Sequence, residues 1–121
     1  MALLSSLAAA LMAFLHAYIL VLEMFLWTTP RGHKAFKLTP AFAEQTKTMA
    51  ANQGLYNGFL SAGLVWALVH PDAVFGRQLE IFFLGCILVA GVYGGLTANK
   101  KIIFIQGVPA GLSLAVVLLG L

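Results

Sequence analysis

Residues Leu15 to Trp27, with the sequence LHAYILVLEMFLW, form the second half of the first long apolar segment of the chain. This segment contains one charged residue, Glu23, and one histidine, His16. A charged side chain at the centre of a membrane helix costs about 2.5–3.5 kcal/mol on insertion scales, so it normally faces the protein interior and a partner. The segment therefore predicts a membrane helix that carries a polar site.

Composition places the whole chain in the membrane class. Of its 121 residues, 61% are hydrophobic and 9% are charged, against about 25% charged residues in soluble domains. Segments of about 20 apolar residues can cross a hydrocarbon layer about 30 Å thick, and four such segments account for most of the chain. The sequence predicts a single all-α domain, residues 1–121, that forms a four-transmembrane-helix bundle in the lipid bilayer.

Short polar connections separate the predicted spans, which cover about residues 2–27, 49–69, 78–98 and 102–121. The pair Thr39-Pro40 is typical of a helix N-cap followed by a first-turn proline. We therefore expect a juxtamembrane helical extension that begins at Pro40 and continues into span two. Pro109 is expected to kink span four. The N-terminal apolar run exceeds the roughly 7–15 residues of a signal-peptide core, which predicts a retained helix.

The positions of the basic residues predict the orientation of the spans. Six of the seven lie between spans one and two, at the start of the second helix, or between spans three and four: Arg31, Lys34, Lys37, Lys47, Lys100 and Lys101. The connection after span two contains only Arg77. Because cytoplasmic loops carry an excess of Lys and Arg, both termini are expected outside and the basic connections in the cytoplasm. This distribution reflects topology, so no nucleic-acid partner is predicted.

Polar residues from all four predicted spans converge at one depth. At a rise of about 1.5 Å per residue, Glu23 lies about 6 Å inside the cytoplasmic end of span one, and His16 lies about 10 Å deeper on nearly the same face. In span two, Asn52 and Gln53 are predicted at the depth of Glu23, and Tyr56 and Asn57 one turn deeper; Tyr93 and Thr97 from span three and Gln106 from span four reach the same zone. The candidates for a ligand-binding site are Glu23, His16, Asn52, Gln53, Tyr56, Asn57, Tyr93 and Gln106.

Two interpretations of this polar cluster stay open. The side chains could simply satisfy one another, since hydrogen bonds between membrane helices contribute about 0.6 kcal/mol on average. Alternatively, Glu23 binds a cation, a proton or a polar headgroup in a pocket open to the cytoplasmic leaflet. For His16 the favoured interpretation is a hydrogen-bonded core residue rather than a proton-transfer group. No close set of His and Cys ligands is present, so no metal site is predicted.

Other patterns concern activity and packing. The chain has no nucleophile–base constellation, glycine-rich phosphate loop or CxxC motif, so neither an enzyme activity nor a cofactor is predicted. Cys86 is expected in the core, and Arg77 and Glu80 are expected to form a surface ion pair. Three glycine pairs have the GxxxG spacing that favours close helix packing and a homodimer through the glycine faces. These pairs are Gly54/Gly58, Gly91/Gly95 and Gly107/Gly111.

Two motifs in the chain resemble a known family. The first is HxYIxxLEMFxW, here His16, Tyr18, Ile19, Leu22 to Phe25 and Trp27, followed by Thr29-Pro30-Arg31-Gly32. The second is AANQGLYNGF, residues 50–59. Both are similar to motifs of the small bacterial membrane proteins of domain-of-unknown-function family 1304. The resemblance covers nearly the whole chain and implies a multi-pass, four-helix protein of the bacterial inner membrane. It supports the Glu23 and span-two candidates but implies no activity.

Three functions are compatible with these features. The first is binding of a small polar or lipid-like ligand in a cytoplasm-facing pocket around Glu23. The second is proton-coupled export, because the chain is similar in length and span number to small multidrug exporters, which use one glutamate in the first span. Glu23 departs from that pattern by lying near the end of its helix. The third is a non-catalytic accessory subunit of a larger membrane complex.

Overall fold

The computed structural model describes residues 1–121 and consists of helices and their connections, which confirms the predicted all-α class. The helices are α1 (Leu3–Met24), α2 (Pro30–Phe36), α3 (Pro40–Val69), α4 (Ala73–Thr97) and α5 (Val108–Leu118), with a π-helix at Ile103–Gly107 directly before α5. The chain divides into two compact units. The terminal unit comprises Met1–Ala13 and Ala62–Leu121, and the central unit comprises Phe14–Ser61.

Two helices, α1 and α4, are long and apolar enough to cross a membrane. Helix α3 is longer, with 30 residues, but it does not meet the same hydropathy criterion because three amide side chains lie in its middle: Asn52, Gln53 and Asn57. The apolar stretch Ile103–Leu118 is shorter than the other candidates. The four-span arrangement therefore stays a prediction.

The connection after span one contains an additional helix. Helix α1 ends at Met24 rather than near Trp27, and Pro30–Phe36 form α2, where the sequence predicted only a connection. Thr29 is the N-cap of α2: its backbone is extended and its hydroxyl accepts a hydrogen bond from the Gly32 N–H at 3.4 Å. A threonine before a first-turn proline is a favourable helix start, so the signal for α2 is present in the sequence.

The predicted extension before span two is helical. Helix α3 begins at Pro40, where the Thr39 hydroxyl accepts a hydrogen bond from the Phe42 N–H at 3.2 Å. It continues to Val69 without a break. Helix α4 begins at Ala73, before the predicted start of span three at Gln78, because the Asp72 carboxylate caps its first turn,.

Close backbone packing organises the terminal unit, in which α4 contacts the π-helix and α5. A Cβ atom placed on Gly91 would lie 2.5 Å from the backbone nitrogen of Gly107. A larger side chain would therefore separate the two backbones, as expected for a small-residue helix contact. Before Pro109 the helix is a π-helix, in which the Val108 N–H bonds to the Ile103 carbonyl, five residues earlier,.

Two expectations for α4 are wrong. Cys86 is half-buried rather than a core residue. Arg77 and Glu80 do not form a surface ion pair: Glu80 is 0% exposed, and an Arg77 Nη2 group donates to the Val117 carbonyl at 3.4 Å. Helix α4 is rotated so that Glu80 faces inward, because its buried positions follow the spacing of the close-packed glycines Gly91 and Gly95.

Candidate functional site: the Glu23 cleft

Glu23 is the penultimate residue of α1 and belongs to the central unit. Its side chain is 6% exposed. The Asn57 side-chain amide donates a 2.7 Å hydrogen bond to Glu23 Oε1 and a 3.2 Å bond to the Gln53 carbonyl. A bond to an ionised carboxylate is among the stronger hydrogen bonds in proteins. Asn57 thus holds the Glu23 carboxyl between α1 and α3.

Two glycines of α3 allow this approach. A Cβ atom on Gly54 would lie 2.6 Å from Met24 Cγ and 3.0 Å from Glu23 Cβ. A Cβ atom on Gly58 would lie 2.6 Å from Leu20 Cδ1. The first GxxxG pair therefore lies directly against the end of α1 within the central unit, where side chains at both positions would collide with α1.

A cleft of about 340 Å³ lies beside Glu23 within the central unit. Its wall combines a carboxylate, hydroxyls, an amide, an ammonium and aromatic rings. The lining residues are Glu23, Met24, Phe25, Trp27, Thr28, Lys47, Thr48, Ala51 and Asn52. A pocket of this size, apolar in part and with a few converging polar groups, is typical of a small-ligand site.

The polar side chains that line the cleft differ in the partners that they already have. The Lys47 ammonium forms an ion pair with Glu44 one turn away, and both side chains are exposed. The Asn52 amide donates to the Thr48 carbonyl at 2.9 Å on its own helix. The hydrogen bond that Glu23 accepts comes from an uncharged group, the side-chain amide of Asn57. The cleft can therefore accommodate one positively charged group beside Glu23.

The wall of the cleft is fixed by contacts that sequence reasoning did not identify. The Trp27 indole N–H donates to Thr46 Oγ1 at 3.0 Å, and its ring lies 4.8 Å from that of Phe36. Arg31 Nε donates to the Tyr18 hydroxyl at 3.0 Å, and the guanidinium lies over the Tyr18 ring. The aromatic and basic residues of the first motif thus tie α2 to α1 and α3 around the cleft.

The candidates predicted in spans one and two differ in burial and in whether they line the cleft. Asn52 lines the cleft and Asn57 binds Glu23, whereas Gln53 is exposed and Tyr56 is 57% exposed. His16 is completely buried in α1, two turns before Glu23. Ligand binding by any of these residues stays a prediction.

The remaining candidates, Tyr93 and Gln106, belong to the terminal unit. Tyr93 is 69% exposed, and Gln106 is half-buried in the π-helix. The polar lining residues that were not among the candidates are Thr28, Lys47 and Thr48. Thr48 had a signal in the sequence, because it lies four residues before Asn52 and so on the same face of α3.

The chain is similar to a protein family of unknown function and to an uncharacterised protein. The model of the family described as "Protein of unknown function (DUF1304)" matches residues 10–118. The uncharacterised protein YpaA of Lactococcus lactis subsp. lactis (strain IL1403) is 36% identical over 111 residues, which cover 88% of this chain and 90% of that protein. No solved structure matches the chain.

Proposed function

The chain belongs to the family of proteins of unknown function DUF1304, and we propose that it is an integral membrane protein that binds an amine-bearing ligand in the Glu23 cleft. The ligand would be a phospholipid with a protonated amine in its headgroup or a free small amine. The observation that carries this proposal is the 340 Å³ cleft with the Glu23 carboxyl in its wall.

The chemistry of the lining favours a cation over an anion. A protonated amine would lie against the Glu23 carboxylate while the Asn57 amide keeps that carboxylate oriented. The rings of Trp27 and Phe25 supply apolar and cation–π contacts,. The ammonium of Lys47 would lie near a headgroup phosphate, because lysine is a common phosphate-binding side chain. A zwitterionic headgroup thus fits both charges of the cleft.

The proposed membrane arrangement has four crossings with the cleft at the cytoplasmic leaflet. Helices α1 and α4 meet the length and hydropathy expected of spans. Helix α3, at about 45 Å, exceeds a hydrocarbon core of about 30 Å, so its first turns can lie among headgroups. The 16 residues of Ile103–Leu118 extend about 24 Å, a mismatch that local bilayer thinning accommodates. The basic residues between spans favour a bacterial cytoplasmic membrane location with both termini outside.

Fusions at the C-terminus test this topology. Alkaline phosphatase joined after Leu121 is expected to be active, because it folds only outside the cytoplasm, and green fluorescent protein at the same position is expected to be dark. A fluorescent C-terminal fusion with inactive phosphatase would contradict the proposed orientation.

Native mass spectrometry in detergent tests the ligand class. The purified protein is titrated with phosphatidylethanolamine, with phosphatidylglycerol, which lacks the amine, and with free ethanolamine. We expect phosphatidylethanolamine to bind at least tenfold more tightly than phosphatidylglycerol, equivalent to about 1.4 kcal/mol. Glu23→Gln should abolish this preference, whereas Glu44→Gln, which alters an exposed carboxylate, should preserve it.

The titration also separates the two sources of the amine. Competition by free ethanolamine would identify the amine alone as the ligand, and its failure to compete would identify the intact lipid. Equal binding of both lipids by the wild-type protein and by Glu23→Gln would overturn the proposal. The same Glu23→Gln variant also tests proton-coupled export. If Glu23 couples export to proton movement, this variant should lose substrate-driven proton release in liposomes.

A further inference from the structure

Glu80 is a second buried acidic residue, and it lies in the terminal unit. The buried positions of α4 form one stripe along the helix: Gly76, Glu80, Leu84, Ile87, Gly91 and Gly95. Their spacing of three or four residues is that of a single helix face. Glu80 therefore occupies a position that apolar residues and glycines fill elsewhere on the stripe.

The surroundings of Glu80 are close-packed. Its side chain is 0% exposed, as are those of Leu84 and Ile87, the next two residues of the stripe. One turn earlier, a Cβ atom on Gly76 would lie 2.7 Å from the Ala67 carbonyl oxygen. The carboxyl group is thus enclosed within the packed face of α4 rather than placed at its surface.

Neither oxygen of the Glu80 carboxyl has a hydrogen-bond partner within the chain. The basic group nearest in sequence, Arg77, donates to the Val117 carbonyl instead. Asp72 accepts from the first turn of α4, and His70 Nδ1 accepts from the Asp72 N–H. The α-amino group of Met1 is a further positive charge of the terminal unit, and it forms no hydrogen bond with Glu80.

A carboxylate enclosed in this way must be neutralised, because an uncompensated buried charge costs several kcal/mol. A hydrogen-bonded ion pair is absent, since neither oxygen of the Glu80 carboxyl has a partner within the chain. A metal ion needs several ligands, and no group of three or more His, Cys, Asp or Glu side chains is present to hold one. The remaining neutralising ligand is a proton.

We propose that Glu80 is a proton-binding site: an intramembrane carboxylic acid that holds its proton within the packed face of α4. This site is independent of the proposed amine-binding cleft, since Glu80 belongs to the terminal unit and Glu23 to the central unit. Ionisable carboxyl groups inside membrane helices commonly mark ion pathways and proton relays.

Infrared spectroscopy of the protein in liposomes at neutral pH tests the proton directly. A carboxylic acid has a C=O stretching band that a carboxylate lacks. The wild-type protein should show this band, Glu80→Gln should lose it, and Glu44→Gln should keep it. A wild-type spectrum identical to that of Glu80→Gln in this region would overturn the proposal, because Glu80 would then be ionised by the field of Met1 or by buried water.

A second measurement uses the wild-type chain and does not depend on a variant folding. Dicyclohexylcarbodiimide enters membranes and reacts with protonated carboxyl groups: the acid O–H adds across a C=N bond, and acyl migration to nitrogen gives an adduct that retains every atom of both reactants. Peptide mapping should place this adduct on Glu80, and labelling should decrease as the pH is raised. Labelling that leaves Glu80 unmodified at every pH tested, while the infrared band is also absent, would contradict the assignment.

Discussion

Glu23 and Glu80 are both buried glutamates, but they differ in hydrogen bonding, in packing and in access to a cleft. Glu23 lies at the end of α1, accepts a hydrogen bond from Asn57 and borders an open cleft. Glu80 lies on the packed stripe of α4 with no donor to either oxygen. The first can exchange a partner with the surroundings, whereas the second has room only for a proton. A buried carboxyl group therefore cannot be interpreted from its burial alone.

The largest expected effect comes from reversing the charge at each position. Glu80→Lys places an ammonium without a partner on the packed stripe, and removing the partner of a buried charge typically costs about 3–5 kcal/mol. We expect little folded protein. Glu23→Lys borders the cleft and should be tolerated better. Yield of monodisperse protein measures both effects, with Glu44→Lys as the exposed control. Equal yields of Glu80→Lys and Glu44→Lys would contradict the burial of Glu80.

Replacement by leucine should lower the free energy of unfolding at Glu23 but not at Glu80. Glu23→Leu leaves the Asn57 amide without its acceptor and should lower the free energy of unfolding by about 1–3 kcal/mol. Glu80→Leu removes a carboxyl group that has no hydrogen bond to lose, so stability should be unchanged or about 1 kcal/mol higher. Thermal unfolding in one detergent measures both. Destabilisation of similar size in the two variants would remove the distinction between the sites.

A smaller effect is expected from Asn57→Ala, which keeps Glu23 but removes its donor. The loss should be about 0.5–1.5 kcal/mol in stability, accompanied by weaker binding of phosphatidylethanolamine because the carboxylate is no longer held in place. Gln53→Ala is the matched control, since the Gln53 side chain is exposed and does not line the cleft. If the two variants bind the lipid equally well, Asn57 does not orient Glu23.

The smallest effect is expected at the exposed pair on α3. Glu44→Gln breaks the ion pair with Lys47, and exposed pairs contribute about 0–1 kcal/mol. The midpoint of thermal unfolding should therefore be nearly unchanged, and adding salt should not alter the comparison with the wild-type protein. A loss as large as that of Glu23→Leu would show that Lys47 is held in the cleft more tightly than an exposed side chain.

Much of the helical structure could be predicted because its signals are local. Thr39-Pro40 marks the start of α3, and the GxxxG pair of α3 indicates the close contact with α1 that is found at Gly54. The sequence predicted Asn57 one turn deeper than Glu23 in the same polar zone, and the structure shows a 2.7 Å hydrogen bond between their side chains. Capping and small-residue spacing depend on a few neighbouring positions, which the sequence displays directly.

The inward position of Glu80 was not predicted because most of α4 is apolar on every side. Both lipid and a helical core accept apolar residues, so composition does not determine the rotation of such a helix. The rotation follows from the contact of Gly91 with Gly107, which is distant in sequence. The spacing of Glu80 from Gly76, Gly91 and Gly95 indicates that it shares their buried face. The prediction of a surface ion pair rested instead on Arg77, which is close to Glu80 in sequence.

The most direct measurement of the amine-binding claim is a crystal structure grown from a lipid mesophase that contains phosphatidylethanolamine. The account predicts non-protein density in the cleft, with a headgroup nitrogen within hydrogen-bond distance of the Glu23 carboxyl and the Asn57 bond preserved. A cleft filled by the side chains of Lys47, Thr48 and Asn52 bonded to one another and to Glu23 would contradict it and leave the polar cluster with a purely structural role.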